Sequence, residues 1–139
     1  MNLKILLILL LITVSSYVFA ADTIQNNQAK NVYTEDHLNI IVKANDPQFT
    51  IKLKSNPTTG YAWYVRKYDA NLILPIKHQF QKSNQNLMGA PGEEWWVFRV
   101  KPNGFLVPHQ TTIRFIYARP WEGENNATQI VFYVTTVSA

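Results

Sequence analysis

The sequence predicts an all-β protein, a two-layered sandwich of about seven short strands. Seven segments are rich in β-branched and aromatic residues, and turn residues such as Pro, Gly, Asn and Asp separate them. No stretch shows the periodicity of an amphipathic helix over three turns. Seven such strands in about 100 residues are typical of an immunoglobulin-like β-sandwich. The predicted strands are 38–43, 49–54, 62–66, 73–81, 95–100, 112–117 and 129–137.

Individual residues place some of these strands in the sandwich. The second strand alternates strictly, which puts Phe49, Ile51 and Leu53 on one buried face. Trp63, on the third strand, suits the core tryptophan of such sandwiches. Pro75 interrupts the fourth strand, and because proline cannot donate to a ladder, we expect an edge position or a bulge there.

The first twenty residues have the composition of a secretory signal peptide. One positive charge, Lys4, precedes an apolar run, and Val18 and Ala20 fit the small-residue rule before a cleavage point. The apolar run is too short to span a bilayer of about 30 Å, so we expect no membrane association after cleavage. The protein is predicted to be secreted or periplasmic. We expect a signal peptide at 1–20, a flexible, polar N-terminal segment at 21–37, and the sandwich domain at 38–139.

Composition excludes several kinds of site. The chain has 139 residues and no cysteine, so a cysteine nucleophile, a thiolate metal site and stabilisation by disulfides are all excluded. The formal net charge is +4, but the basic residues are scattered singly, which argues against a nucleic-acid partner. The mild positive charge favours approach to an acidic partner.

The sequence offers no catalytic constellation. The histidines His37, His78 and His109 are far apart and lie in no recognisable motif. Glu93 and Glu94 are adjacent, and on a strand their side chains point to opposite faces, so they do not form an acid/base pair. We therefore expect no enzyme activity, no metal and no cofactor.

Three loops carry residues that suit binding, and the first, loop 1, lies between the second and third predicted strands. Proline fixes its own φ and restricts the residue before it, while glycine permits a positive φ at the loop exit. A rigid projecting loop loses little entropy on docking. The alternative is a turn with no further role. The residues of loop 1 are Asn56, Pro57, Thr58, Thr59, Gly60 and Tyr61.

Loop 2 precedes the fifth predicted strand, and its small residues would let the backbone approach another surface closely. Glycine-bearing loops are common, so an ordinary connection is the alternative interpretation. Its candidate binding residues are Gly89, Ala90, Pro91 and Gly92.

Loop 3 follows the sixth predicted strand and contains Arg119, Pro120 and Trp121. Trp and Arg are the residue types most enriched in binding hot spots. The alternative is that Trp121 folds back over the end of the sandwich as a core plug. The loops after strands two, four and six of a sandwich emerge at one end, so we expect loops 1, 2 and 3 to lie side by side.

These motifs, in this order and spacing, resemble the chagasin family of cysteine protease inhibitors. The resemblance covers roughly residues 38–137 and rests on loop 1 with Trp63, on loop 2 and on loop 3. It implies an immunoglobulin-like fold whose three loops straddle the cleft of a papain-like cysteine protease of the cathepsin-L type. Inhibition would be reversible and by occlusion, and we expect the inhibitor to act as a monomer.

The resemblance also implies a role for each loop. Thr58 would lie nearest the catalytic cysteine, loop 2 along the unprimed substrate groove, and Arg119 and Trp121 on the primed side. One residue departs from the family pattern: Pro91 stands where the family usually has glycine. Because proline lacks an N–H and fixes φ, one backbone hydrogen bond to the enzyme is expected to be absent or re-aimed.

An alternative function belongs to a different class. The chain would then be an extracellular adhesion or carbohydrate-binding sandwich that uses Trp121 and one of two adjacent tryptophans, Trp95 or Trp96. On a strand these two side chains face opposite ways, so one would be in the core and the other on the surface.

Overall fold

The computed structural model describes residues 31–83 and 89–138. The predicted signal peptide at 1–20, and residues 21–30 of the predicted N-terminal segment, lie outside the described residues. Within the described ranges, no helix is long and apolar enough to cross a membrane.

The described residues form a β-sandwich of two four-stranded sheets, which confirms the predicted fold class. Sheet 1 has the strand order β1-β3-β6-β5, and sheet 2 has the order β2-β8-β7-β4. All seven predicted strands are present, and β1 is additional. The strands are β1 Val32–Tyr33, β2 Asn39–Lys43, β3 Gln48–Ser55, β4 Ala62–Lys67, β5 Ile73–Lys82, β6 Gly92–Val100, β7 Gln110–Ala118 and β8 Thr128–Val137.

The short strand β1 lies inside the segment 21–37 that was predicted to be flexible. Val32 and Tyr33 pair in parallel with β3, and the amide of Thr50 donates to the carbonyl oxygen of Asn31 at 2.8 Å. The sandwich therefore begins before residue 38. Two residues are too few to show a period-2 pattern, so only the pairing with β3 identifies this strand.

Four fully buried phenylalanines form the centre of the core between the sheets. Phe49 stacks on Phe98 across β3 and β6, with ring centroids 5.6 Å apart. From the other sheet, Phe115 meets Phe98 edge-on at 6.2 Å, and it meets Phe132 edge-on at 5.9 Å. Such aromatic pairs add stability beyond the area they bury, and they hold together a domain that has no disulfide.

The residue-level predictions for the strands are confirmed. Phe49, Ile51 and Leu53 are all buried on the inner face of β3, and Trp63 is only 6% exposed. Pro75 lies on β5, an edge strand of sheet 1, and the register with β6 shifts directly after it. An edge position and an irregularity thus both accommodate the missing N–H.

Candidate functional site

Loops 1, 2 and 3 gather at one end of the sandwich, as the alternation of strand directions requires. A Cβ atom placed on Gly60 would lie 3.0 Å from Cη2 of Trp121, which brings loop 1 against loop 3. A Cβ atom placed on Gly89 would lie 4.0 Å from Oγ1 of Thr58, which brings loop 2 against loop 1. Loop 1 is therefore the middle member of a continuous row of loops.

Loop 1 is held in shape by its own hydrogen bonds. Residues Pro57–Thr59 form a turn of 3-10 helix, and Gly60 closes it with a φ of 81°, which favours glycine. The hydroxyl of Thr58 donates to the side-chain oxygen of Asn56 at 2.6 Å, and the hydroxyl of Thr59 donates to the Asn56 carbonyl at 2.7 Å. The loop is therefore preformed before any partner arrives.

The base of loop 1 is anchored on Tyr117, the penultimate residue of β7. The Tyr117 hydroxyl accepts the amide of Asn56 at 2.9 Å, and its ring packs against Tyr61 at 5.2 Å and Trp63 at 4.9 Å. With its base anchored in this way, the loop has its tip exposed to solvent. Its exposed residues are Pro57, Thr58 and Thr59.

Trp121, in loop 3, is an exposed aromatic residue. Its side chain is 73% exposed, so the alternative in which it plugs the end of the core is wrong. The edge of its indole ring contacts Gly60, which limits the directions in which the ring can move. Pro120 beside it is exposed as well. The indole is thus presented to solvent next to the tip of loop 1.

Arg119, in loop 3, is hydrogen-bonded within the protein and remains partly exposed. Its Nε donates to the carbonyl of Thr59 at 3.0 Å, and its Nη1 donates to Glu122 at 2.9 Å. The guanidinium also lies 4.5 Å from the ring centre of Tyr61. The hydrogen bond that Arg119 donates to the carboxylate of Glu122 raises the pKa of Arg119, which favours the charged guanidinium. Arg119 therefore ties loop 3 to loop 1.

Loop 2 has an exposed part and a buried stem. Gly89 has a φ of 78° and is exposed, Ala90 is half-buried, and Pro91 is exposed. Gly92 is buried as the first residue of β6, and a Cβ there would collide with the carbonyl oxygen of Gln81. Gly92 therefore belongs to the stem of the loop, where it permits close strand packing.

A groove of about 580 Å³ adjoins this stem on the outer face of sheet 1. Its lining is mixed in charge, and Trp95 forms part of it. The residues around it are Lys54, Gln81, Lys82, Ser83, Pro91, Gly92, Glu93 and Trp95.

Sequence reasoning missed a buried carboxylate directly behind the loops. Glu93 and Glu94 do point to opposite faces, as predicted, but Glu94 is only 3% exposed and faces inward. The alternation of β6 could have identified Glu94, because Trp96 and Phe98 follow it at every second position on the same inner face. A charged residue at a core position of an alternating strand requires buried partners.

The carbohydrate-binding alternative pairs Trp121 with Trp95 or Trp96, and the latter two are engaged within the protein. Lys52 Nζ lies 3.9 Å from the ring centre of Trp95, and the indole N–H of Trp95 donates to Glu93 at 3.0 Å. Trp96 faces inward and stacks on His78 at 3.7 Å. The described geometry therefore does not favour a carbohydrate platform. Among residues 31–83 and 89–138, no group of three or more acidic or histidine side chains could hold a metal ion.

Two curated proteins have sequences similar to that of this chain. Chagasin from Trypanosoma cruzi is 29% identical over 83 residues, which span 57% of this chain and 71% of chagasin. Amoebiasin-2 from Entamoeba histolytica is 33% identical over 95 residues, which span 63% of this chain and 68% of amoebiasin-2.

Solved structures show the same fold. A cysteine protease inhibitor from Entamoeba histolytica has a TM-score of 0.59 and 23% identity, with 76% of this chain and 94% of that chain covered. Amebosin has a TM-score of 0.55 and 20% identity, with 78% of this chain and 96% of that chain covered.

The match to a family model settles the family. The model, described as the chagasin family peptidase inhibitor I42, matches residues 42–136, a range that contains all three loops. The resemblance drawn from the loop motifs is therefore confirmed. The chain belongs to the chagasin family of peptidase inhibitors and is not an enzyme.

Proposed function

We propose that this protein inhibits papain-like cysteine proteases, including those of the cathepsin-L type, by covering the active-site cleft with loops 1, 2 and 3. The observation that carries the proposal is the continuous row of loop tips at one pole, flanked by the 73%-exposed indole of Trp121. The likeness to a cysteine protease inhibitor of Entamoeba histolytica supports the choice of protease class.

In this proposal the loops divide the cleft between them. Loop 1, in the middle, presents Thr58 to the catalytic cysteine. Loop 2 follows the unprimed side of the cleft, and Trp121 packs on the primed side. Arg119 lies on the primed side as well, and its bond to the carbonyl of Thr59 ties loop 3 to loop 1.

The shape of loop 1 accounts for inhibition without consumption of the inhibitor. Residues Pro57–Thr59 are wound into a 3-10 turn, and internal hydrogen bonds keep them there. An extended strand would present its peptide carbonyls to a nucleophile, whereas in this turn the carbonyls of Asn56 and Pro57 accept hydrogen bonds from within the loop. Because the loop is preformed, little entropy is lost on docking, and binding is reversible and tight.

Pro91 adjusts the fit of loop 2. It is exposed beside Ala90, so it lies where a partner would contact the loop. Since it has no N–H to donate, the enzyme loses one possible backbone hydrogen bond at this point. We expect Pro91 to affect which proteases are bound most tightly.

A titration tests this proposal. Purified protein is added to papain and to a cathepsin-L-type enzyme, each at a known active-site concentration, with trypsin as the control. We expect one monomer to inhibit one cysteine protease, to leave trypsin active and to be recovered intact by mass spectrometry. An interface of about 1,600 Å² is expected for such a complex. Full protease activity at micromolar inhibitor, or cleavage within loop 1, would contradict the proposal.

We further propose that the protein is exported and acts in the periplasm or outside the cell. The support is the composition of residues 1–20, with Lys4, an apolar run and the small residues Val18 and Ala20. Intact-mass analysis of the exported protein should give a chain that begins at Ala21. A mature chain that retains residues 1–20 would contradict this.

A further inference from the structure

The buried carboxylate of Glu94 stands directly behind loops 1 and 2 and has three partners. Its Oε1 accepts the hydroxyl of Ser55 at 2.7 Å and the amide of Trp63 at 3.0 Å. Its Oε2 lies 2.9 Å from Nε2 of His78. A buried carboxylate is costly unless such partners compensate for its lost hydration, so this position has a specific structural use.

The three partners lie on the strands that lead into and out of the two loops. Ser55 ends β3 and immediately precedes loop 1, whereas Trp63 lies in β4, just after loop 1. His78 lies in β5, which leads into loop 2, and Glu94 itself lies in β6, which leads out of it. The four strands that flank loops 1 and 2 therefore meet at one side chain.

Loop 1 needs such a junction because it crosses between sheets. β3 belongs to sheet 1 and β4 is an edge strand of sheet 2, so no ladder joins the two stems of the loop. In a hairpin the ladder and the turn fix the register of the strands, but here side chains must do it. The Oε1 atom of Glu94 bridges the stems, and the indole N–H of Trp63 adds a bond to the carbonyl of Lys54 at 2.9 Å.

We propose that Glu94 is a positioning residue: its buried carboxylate sets the placement of loop 1 relative to loop 2, and through it the affinity for the protease. The inference rests on the proposed function. Glu94 is only 3% exposed, so it does not contact the protease itself. It acts through the stems of the loop, at Ser55 and Trp63.

The combination of Ser55, His78 and Glu94 is not a hydrolytic triad. In a triad the histidine lies between the serine and the acid, so that it can accept the serine proton. Here the acid lies between the other two, and the hydroxyl of Ser55 donates to the carboxylate. Ser55 is also only 3% exposed, out of reach of a substrate.

The deciding comparison uses two buried hydroxyls at opposite ends of the sandwich. Ser55→Ala removes the bond to Glu94 beneath loop 1. Thr136→Val removes a similar bond, in which the 1%-exposed Thr136 hydroxyl accepts the amide of His109 at 2.9 Å near the other pole. Both changes should lower the melting temperature. Only Ser55→Ala should raise the inhibition constant against papain, by about fivefold to tenfold for one lost hydrogen bond.

Variants of Glu94 test the carboxylate itself. Glu94→Gln keeps an oxygen that can accept from Ser55 and Trp63, so its inhibition constant should stay within about threefold of the original. Glu94→Leu leaves both donors unsatisfied, and its inhibition constant should rise by more than about tenfold. If Glu94→Leu does not fold, the comparison of Ser55→Ala with Thr136→Val decides the matter.

A second measurement needs no protease. The proximity of Gly89 to the Thr58 side chain should give proton NMR cross-peaks between loops 1 and 2. These should weaken in Ser55→Ala and persist in Thr136→Val. The proposal is overturned if Ser55→Ala keeps both its cross-peaks and its inhibition constant, or if the two variants weaken inhibition equally. If the unaltered protein fails to inhibit papain, the proposed function is wrong, and the cross-peaks still show whether Glu94 positions loop 1.

Discussion

Replacement of Trp121 by alanine probes the proposed interface most directly. The side chain is 73% exposed in the free protein, so its removal should leave folding almost unchanged. The edge of its indole ring lies against Gly60. An effect on inhibition would therefore come from the complex and not from the free inhibitor.

The magnitude follows from the area available for burial. A tryptophan buries about 150–250 Å², and with 73% of the side chain accessible, about 110–180 Å² remains to be covered by a protease. At about 25 cal/mol per Å² this corresponds to about 3–5 kcal/mol before ordering and desolvation costs. A net loss of about 2 kcal/mol is typical of a hot spot and corresponds to about a thirtyfold higher inhibition constant.

The assay compares Trp121→Ala with Leu106→Ala. Leu106 is 83% exposed and lies in the β6–β7 connection at the opposite end of the sandwich, so it is matched in exposure but not in location. Inhibition constants against papain are measured for both, and circular dichroism checks the fold. Equal constants for the two variants would refute the placement of Trp121 in the interface.

Three further substitutions test other parts of the structure. Arg119→Lys should weaken inhibition about tenfold, seen as faster dissociation of the complex, because lysine cannot reproduce the guanidinium bonds to Thr59 and Glu122. An unchanged dissociation rate would contradict the role of Arg119 in tying loop 3 to loop 1. Gly92→Ala should lower the free energy of unfolding in urea by about 1–3 kcal/mol through overpacking, whereas Gly123→Ala, which has open space, should be neutral. Trp63→Leu should cost about 3 kcal/mol in the same measurement, and a loss below about 1 kcal/mol would contradict its role in the core.

Local chemistry predicted most of the fold. Phe49, Ile51 and Leu53 alternate with polar residues, and burial of one face is what such a period requires. Pro75 predicted an edge or a bulge because its missing N–H would disrupt a central ladder, and the structure has both. The extra strand at Val32–Tyr33 could not be predicted, since its only distinguishing feature is its pairing with β3.

The sequence by itself determined the strands, the loops between them and the end of the sandwich at which those loops emerge, because these depend on period, turn residues and alternation of direction. Only the tertiary structure decided which loop residues face outward. It joined Arg119 to the carbonyl of Thr59, placed Gly92 in a buried stem and left Trp121 exposed. It also brought Ser55, Trp63 and His78 to Glu94 from separate strands. Contacts between residues so distant along the chain arise when two sheets pack, and no local pattern records them.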